Sequence, residues 1–398
     1  QGTLVTTIGA DMQTVTFSGM NPADDDVLID RQDGATININ GSTSADVITV
    51  QDGLQNITFF TEVDFNNAFP NIQFQNKVRA VINGGSNDDT FNINNPMPAT
   101  GLTLTNIEGS GGNDIINVLT DHTGDLNGEA GNDSFVLSDG VVVSGETANA
   151  VNGGSGTDTI DVSAFSTNLS VTLASNDADG FTGEIPAAID APGVFTGIDN
   201  LLAGSGESDD LFGLDTTAIW QLDGSSTYTD TATFRSLSFG NFEGLTGNAM
   251  PDTFDITGVQ TIGLDGQAGD DVFRFLDDTA TVDGFVLGDD GMDTLDFSAL
   301  SSSATVSVSL DSVSVMVGGF AGSVSQITNG FLAVDSVIAG ESSSDSLTGI
   351  NEIGAWTVDE PGSYMADGEM LAFSQFENLN GNDKVDVFLI QDGGFNLA

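Results

Sequence analysis

Residues 153–161 read "GGSGTDTID", with three glycines in the first four positions, an aspartate at the sixth and an apolar residue at the eighth. Glycine accepts positive φ without steric cost, so the first half predicts a sharp turn. The polar–apolar–polar run after Asp158 predicts a short strand with one face buried. Moving outward from this stretch, the skeleton Gly, four residues, Asp, one residue, apolar residue occurs eleven times. The sets are Gly41/Asp46/Ile48, Gly84/Asp89/Phe91, Gly109/Asp114/Ile116, Gly128/Asp133/Phe135, Gly153/Asp158/Ile160 and Gly204/Asp209/Leu211. They continue with Gly247/Asp252/Phe254, Gly266/Asp271/Phe273, Gly288/Asp293/Leu295, Gly340/Asp345/Leu347 and Gly381/Asp386/Phe388.

The intervals between successive first glycines form two classes. The short class includes the steps from Gly84 to Gly109, Gly109 to Gly128 and Gly266 to Gly288; the long class, about double, includes those from Gly41 to Gly84 and Gly288 to Gly340. A coil of about 22 residues, with some turns lacking the motif, predicts both classes and points to a repeat architecture. A longer period lies on top. Trp220 recurs as Trp356 and Tyr228 as Tyr364, at one and the same displacement, and "SFGNFEGLTGN" answers "AFSQFENLNGN". The reading divides the chain into a diverged N-terminal region 1–152, a repeat unit at 153–287, and a second, incomplete copy at 288–398. No window has helical periodicity, and "EIPAAIDAPGV" (184–194), with two prolines, reads as a protruding loop.

The fold expected is all-β: a right-handed parallel β-helix, or solenoid, of about 17–18 coils with Gly/Asp calcium-binding turns, giving a rod of roughly 85 Å at ~4.8 Å per coil. Inward Phe, Ile, Leu and Val would stack in ladders. Tandem β-sandwich domains are the alternative.

Charge narrows the partners. Six Lys and Arg face 59 Asp and Glu, a formal net charge of −53. Such a chain repels itself at low ionic strength and needs salt or bound cations; a halophile's solvated surface is the other reading. No basic patch for nucleic acid can be assembled from six scattered cations. There are no cysteines, so neither disulfides nor thiolate metal sites exist. The sequence contains no apolar run long enough for a transmembrane helix.

Calcium takes six to eight hard oxygens at about 2.3–2.6 Å, and one turn offers too few. Turns on neighbouring coils can share an ion. The copies at 84, 109, 128 and 153, and those at 247, 266 and 288, are close enough in sequence for this, which brings in Asp89. An Asx-type corner, whose Asp binds backbone amides instead of an ion, competes at every turn.

"GGSGTDTID" matches in full the Gly-Gly-x-Gly-x-Asp-x-apolar-x repeat, and the chain resembles haemolysin-type calcium-binding (RTX) repeat proteins, as found in giant bacterial surface proteins and adhesins. "GSGGNDIIN" (109–117), "GEAGNDSFV" (128–136), "GQAGDDVFR" (266–274) and "GDDGMDTLD" (288–296) are near matches. The resemblance implies Ca2+ held by turn carbonyls and aspartates. It points to Gly153, Gly154, Gly156 and Asp158, to Gly109, Gly112 and Asp114, and to Gly128, Gly131 and Asp133. In the second half it points to Gly266, Gly269 and Asp271 and to Gly288, Gly291 and Asp293. The family stacks its nonapeptides directly, whereas these recur no more closely than Gly109 and Gly128, so a wider coil is expected here.

Catalysis is not expected. His122 is the only histidine, which excludes multi-histidine zinc sites, and no Gly-x-Ser-x-Gly elbow accompanies it; in "LTDHTGD" it reads as an exposed turn residue. The acid pairs Asp88/Asp89, Asp209/Asp210 and Asp270/Asp271 fall inside the repeated turn, where a repeat-wide role explains them better than one glycosidase site. The function expected is structural and extracellular: a calcium-stabilised fibre, surface layer or biofilm-matrix component. It would pair with itself head to tail, or with the rest of a longer repeat protein, because "VFLIQDGGFNLA" (387–398) stops before the next turn. An adhesin segment binding glycan or another surface is the rival; Trp220 or Trp356 could stack on a sugar, but their exact repetition favours a structural role.

Overall fold

The structure is a computed structural model. It describes residues 2–8, 11–17, 27–30, 34–55, 58–66, 71–190, 193–206, 208–314, 317–359 and 361–390. Among them there is no helix; the chain is all-β, with long sheets in which parallel pairing predominates. No described helix is long and apolar enough to cross a membrane. The last residues of "VFLIQDGGFNLA", 391–398, lie outside the described residues.

The chain packs as two compact units, residues 1–209 with 239–241, and residues 210–238 with 242–398. The long repeat read from the sequence, with copies beginning at 153 and 288, runs across this division. It is visible in the elements themselves: Thr159–Asp161, Asn200–Leu202 and Asp210–Phe212 recur as Thr294–Asp296, Ser336–Ile338 and Ser346–Thr348.

In the first unit one sheet runs in parallel steps through Gly34–Asn40, Lys77–Ser86, Leu104–Gly111, Leu126–Ala130, Asn149–Ser155 and Val194–Ile198. The other runs through Val47–Gln55, Thr90–Asn94, Ile115–Val118, Ser134–Leu137, Thr159–Asp161 and Asn200–Leu202, also parallel. The chain alternates between the two, so each strand of the first sheet leads through a Gly/Asp corner into a strand of the second. Their apolar residues fall in register. Phe91, Ile116, Phe135, Ile160 and Leu201 form one buried column, and Ile82, Ile107, Leu126, Val151 and Phe195 face it from the other sheet.

The second unit repeats the plan. Thr253–Ile256, Val272–Phe275, Thr294–Asp296 and Ser336–Ile338 continue in parallel from Ala218–Leu222. Trp220, Phe254 and Phe273 stack nearly coplanar, with ring centroids 5.6 and 5.0 Å apart.

The long motif intervals do not all have the cause expected. Gly41 and Gly84 bound one of these intervals, yet Gly34–Asn40 and Lys77–Ser86 are paired neighbours, so the two turns stack directly. The intervening chain doubles back: Thr58–Asp64 is antiparallel to both Val47–Gln55 and Asn71–Phe74. The same three-strand meander occurs at Ser170–Ile198, Ala218–Gly240, Ser307–Val334 and Ala355–Ser374. The interval from Gly41 to Gly84 is therefore one step plus an antiparallel excursion. The turns of Gly153 and Gly288 stack instead on the corners of Asp199 and Asp335, which lack the motif, as the expectation had it, with an antiparallel excursion in between. The excursions take up chain that the expected coil count, and the length built on it, gave to further coils.

Each meander in the 218–240 and 355–374 regions carries the Trp/Tyr pair. Trp220 faces Tyr228 and Trp356 faces Tyr364 across antiparallel strands, with centroids 4.6 and 4.3 Å apart. All four rings are buried, and each tyrosine hydroxyl accepts a backbone amide, Leu214 N at 2.9 Å or Ile350 N at 3.0 Å. Neither indole offers a face to a sugar, in line with the structural role that their exact repetition favours. Residues 184–190 of the expected loop do not protrude: Ile185, Ala188 and Ile189 are buried, and Ile189 bridges to Val143; residues 191 and 192 lie outside the described residues.

Candidate metal-binding turns

Numbering each corner from its first glycine as position one places the motif aspartate at position six. The structure stacks these aspartates in columns. In the first unit Asp46 N donates to Asp89 Oδ1, Asp89 N to Asp114 Oδ1, Asp114 N to Asp133 Oδ1 and Asp133 N to Asp158 Oδ1, each at 2.7 Å. In the second, Ala218 N donates to Asp252 Oδ1 at 2.7 Å, Asp252 N to Asp271 Oδ1 at 2.7 Å and Asp271 N to Asp293 Oδ1 at 2.9 Å. Every carboxylate thus satisfies the amide of the preceding step, one strand spacing of about 4.8 Å away.

A second ladder runs outside the first, from position five. Asn113 N donates to Asp88 Oδ1, Asn132 N to Asn113 Oδ1 and Thr157 N to Asn132 Oδ1, at 2.7, 2.8 and 2.9 Å. Met292 N donates likewise to Asp270 Oδ1. The acid pairs Asp88/Asp89 and Asp270/Asp271 are members of these two ladders.

The columns end on aspartates that the motif does not contain. Asp158 N donates to Asp199 Oδ2 at 3.0 Å, and Asp293 N to Asp335 Oδ2 at 3.2 Å. Sequence reasoning missed both. The available signal was their equivalence in "FTGIDN" and "FLAVDS", at the same displacement as the two tryptophans.

Glycine has two separate jobs in the corner. At position one the aspartate's Oδ2 sits where a Cβ would be, as at Gly109 against Asp114, Gly128 against Asp133, Gly153 against Asp158, Gly266 against Asp271 and Gly288 against Asp293. At position four the backbone is left-handed: φ is 133° at Gly112, 137° at Gly131, 147° at Gly156, 129° at Gly269 and 154° at Gly291. There a Cβ would also strike the step before, with Gly131 against the Gly112 carbonyl and Gly156 against the Gly131 carbonyl. Position two is left-handed as well, at Ser110, Glu129, Gly154, Gln267 and Asp289.

This double left-handed turn has an electrostatic consequence. The position-four amides of Gly112, Gly131 and Gly269 point along the column and donate to Ala130, Ser155 and Asp290 carbonyls, each at 2.9 Å. They are not available to their own aspartate. The Oδ2 atoms of Asp89, Asp114, Asp133, Asp158, Asp271 and Asp293 are buried with no hydrogen-bond partner. Each of these six turns has positive φ at positions two and four; in the turn of Asp89 they are Gly85 at 111° and Asn87 at 81°. In two turns that lack that geometry the oxygen finds an amide: Ser42 N donates to Asp46 Oδ2 at 2.5 Å and Gly340 N to Asp345 Oδ2 at 3.1 Å.

Burial accordingly raises these carboxyls. Asp89, Asp114, Asp133 and Asp158 are pushed up to about 6, chiefly by desolvation and secondarily by neighbouring column charges, against the amide bonds that lower them. Asp252, Asp271 and Asp293 are pushed up to about 7, again chiefly by desolvation.

The donor chemistry suits a hard cation. Asp114 Oδ2 and the Gly128 carbonyl both lie against Gly109, where a side chain would begin, and Asp133 Oδ2 and the Gly153 carbonyl lie likewise against Gly128. Asp293 Oδ2 and the Ala333 carbonyl do the same beside Gly288. Among the described residues no three His, Cys, Asp or Glu converge on one position. An ion held here would take one carboxylate oxygen per turn and complete its shell with backbone carbonyls.

His122 is the other departure from expectation. It is 4% exposed rather than an exposed turn residue, held in the short strand His122–Thr123 against Val143–Ser144.

No protein-family model matches the chain, and no curated protein matches it.

Proposed function

We propose that the chain is a structural, extracellular repeat protein, folded as a right-handed parallel β-helix whose aspartate columns are held by calcium, and serving in a fibre, surface layer or biofilm matrix. One observation carries the reading: six buried carboxylate oxygens, stacked in two columns, have no partner within the chain. A buried unpaired charge is costly, and a cation removes the cost for a whole column at once. The net charge of −53 and the absence of cysteine give the same protein a use for divalent ions as its staple. The partner is a second copy or the remainder of a longer repeat protein.

An ion bound only to the folded state stabilises it by mass action, about 2.7 kcal/mol per site at a hundredfold excess over Kd. Thermal melts in millimolar calcium and in EDTA should therefore differ by many degrees. Asp133→Asn keeps the Oδ1 acceptor of the ladder and removes the charge at Oδ2. It should shrink the calcium-induced shift, while Asp46→Asn should leave it unchanged. Superimposed melts in calcium and EDTA reject the calcium reading and leave the columns as amide ladders alone.

A further inference from the structure

Repetition within the second unit supplies an internal control for its surface. The meanders 218–240 and 355–374 are equivalent: Trp220 faces Tyr228 as Trp356 faces Tyr364. Trp220 stacks on Phe254 with centroids 5.6 Å apart, and Trp356 stacks on Phe388 at 5.4 Å. Inside, the two copies match. On the outer face of the sheet they do not.

In the second copy Met370, Met365, Ala355 and Val387 stand side by side on four adjacent strands. Ile353 precedes Ala355 by two residues, and Leu389 follows Val387 by two. All six are exposed, Met370 by 47%, Met365 by 50% and Ile353 by 70%, while Tyr364 and Leu371, next to the two methionines in sequence, are fully buried. The equivalent places in the first copy hold Ser236, Thr229, Ile219, Thr253, Thr217 and Asp255. Apart from Ile219 and Ala355, every one of these positions is polar in the first copy and apolar in the second. Where the second copy has two thioethers, the Thr229 and Ser236 hydroxyls hydrogen-bond to each other at 2.8 Å.

Strand pairing and the buried aromatic stack are present with either set of outward residues, so the fold does not require the apolar one. A contiguous apolar row on a surface bordered by polar groups marks an interaction site. Methionine, flexible and polarisable, suits a face that adapts to a partner's apolar side. Charge then selects the partner. The turn between the methionine strands and the loops before Ala355 and Val387 expose Asp367, Glu352 and Asp383 against a single cation, Lys384. A second copy would bring the same carboxylates and another net charge of −53 against them, and an anionic membrane would meet the same repulsion. A cationic partner is attracted by both.

We infer that this face binds a cationic amphipathic segment of another protein, whose apolar side covers the methionine row and whose Lys or Arg residues meet the bordering carboxylates. Binding here makes no use of the aspartate columns, so it is expected in calcium and in EDTA alike.

The test titrates the full chain into two fluorescently labelled Leu/Lys peptides of identical composition and reads their anisotropy. One peptide is ordered so that Leu and Lys take opposite faces of a helix; the other is scrambled so that no apolar face forms. At about 0.15 M salt, where exposed charges are screened beyond roughly 8 Å, the amphipathic peptide should bind about tenfold or more tightly than the scrambled one. The double variant Met365→Thr/Met370→Ser introduces the side chains that equivalent strands of the first copy already carry, so its melting temperature should hold while the preference disappears. Ile353→Thr, outside the strands, should reduce the preference on its own. Equal binding of the two peptides means that charge alone is recognised and overturns the proposal. So does a preference that survives in either folded variant. A wild-type dimer in sedimentation velocity that the double variant abolishes overturns it in favour of a second copy.

Discussion

The turns of Asp133 and Asp345 share the same Gly-to-Asp spacing and behave differently. In the first, left-handed residues at Glu129 and Gly131 send the corner amides along the column, and Asp133 Oδ2 is left buried and alone. In the second, neither position is left-handed, and Gly340 N donates to Asp345 Oδ2 at 3.1 Å. With the same spacing, the Asp345 corner is self-satisfied. Two left-handed residues convert it into a corner that presents a free carboxylate oxygen. Left-handed backbone at position four, supplied by glycine or, in the turn of Asp89, by Asn87, separates the two kinds of turn.

The largest effect expected from this contrast is at Gly131. Alanine there would face φ of 137° and overlap the Gly112 carbonyl, so Gly131→Ala should lower stability by about 3 kcal/mol or more, measured by chemical denaturation. The equivalent change at a self-satisfied turn, Ser343→Ala, should stay within about 0.5 kcal/mol, as exposed surface changes usually do. Equal losses would end the distinction between the two kinds of turn.

Next comes pH. Column carboxyls whose folded values are raised to about 6–7 stabilise the fold fully below their unfolded value near 3.8, and that contribution is lost as pH rises through 6–7. In EDTA the melting temperature should therefore fall between pH 5 and pH 8. Calcium should restore it at pH 8 and do little at pH 5, where protons already neutralise the columns. A calcium effect of equal size at both values would show that the ion binds elsewhere.

The smallest effect is at His122, and its sign is opposite. Burial lowers its pKa to about 4, against the Thr105 hydrogen bond and the Asp125 charge that raise it. The folded ring stays neutral while the unfolded one gains a proton below about 6.5, so its contribution is lost as pH falls from 6.5 through 4. His122→Leu should flatten that acid limb slightly in denaturation profiles. An unchanged limb would mean the ring is protonated in the folded state.

The all-β character and the corner itself were legible because they rest on local chemistry. Gly and Asp at fixed offsets, followed by an alternating strand, are readable in "GGSGTDTID" wherever it sits. The meanders were not legible. "LSVTL" (169–173) and "DSFVL" (133–137) alternate alike, yet one enters an antiparallel excursion and the other a parallel column. Period-two patterning reports that one face is buried and is silent about the direction of the neighbour. The six aspartates singled out from the motif stand in the columns, but the amides that occupy their Oδ1 atoms come from distant steps of the chain, as Asp46 N does for Asp89.

By itself, the sequence determined the strand-and-corner alphabet, the positions needing glycine and the charge that must be neutralised. These depend on backbone sterics and composition, which no fold can alter. Only the tertiary structure decided that distant turns at 41 and 84 are direct neighbours, that Asp199 and Asp335 close the columns, and that His122 and both tryptophans are interior. Burial and hydrogen-bond partnership are properties of what packs against a residue, and the chain supplies that neighbour only after it has folded.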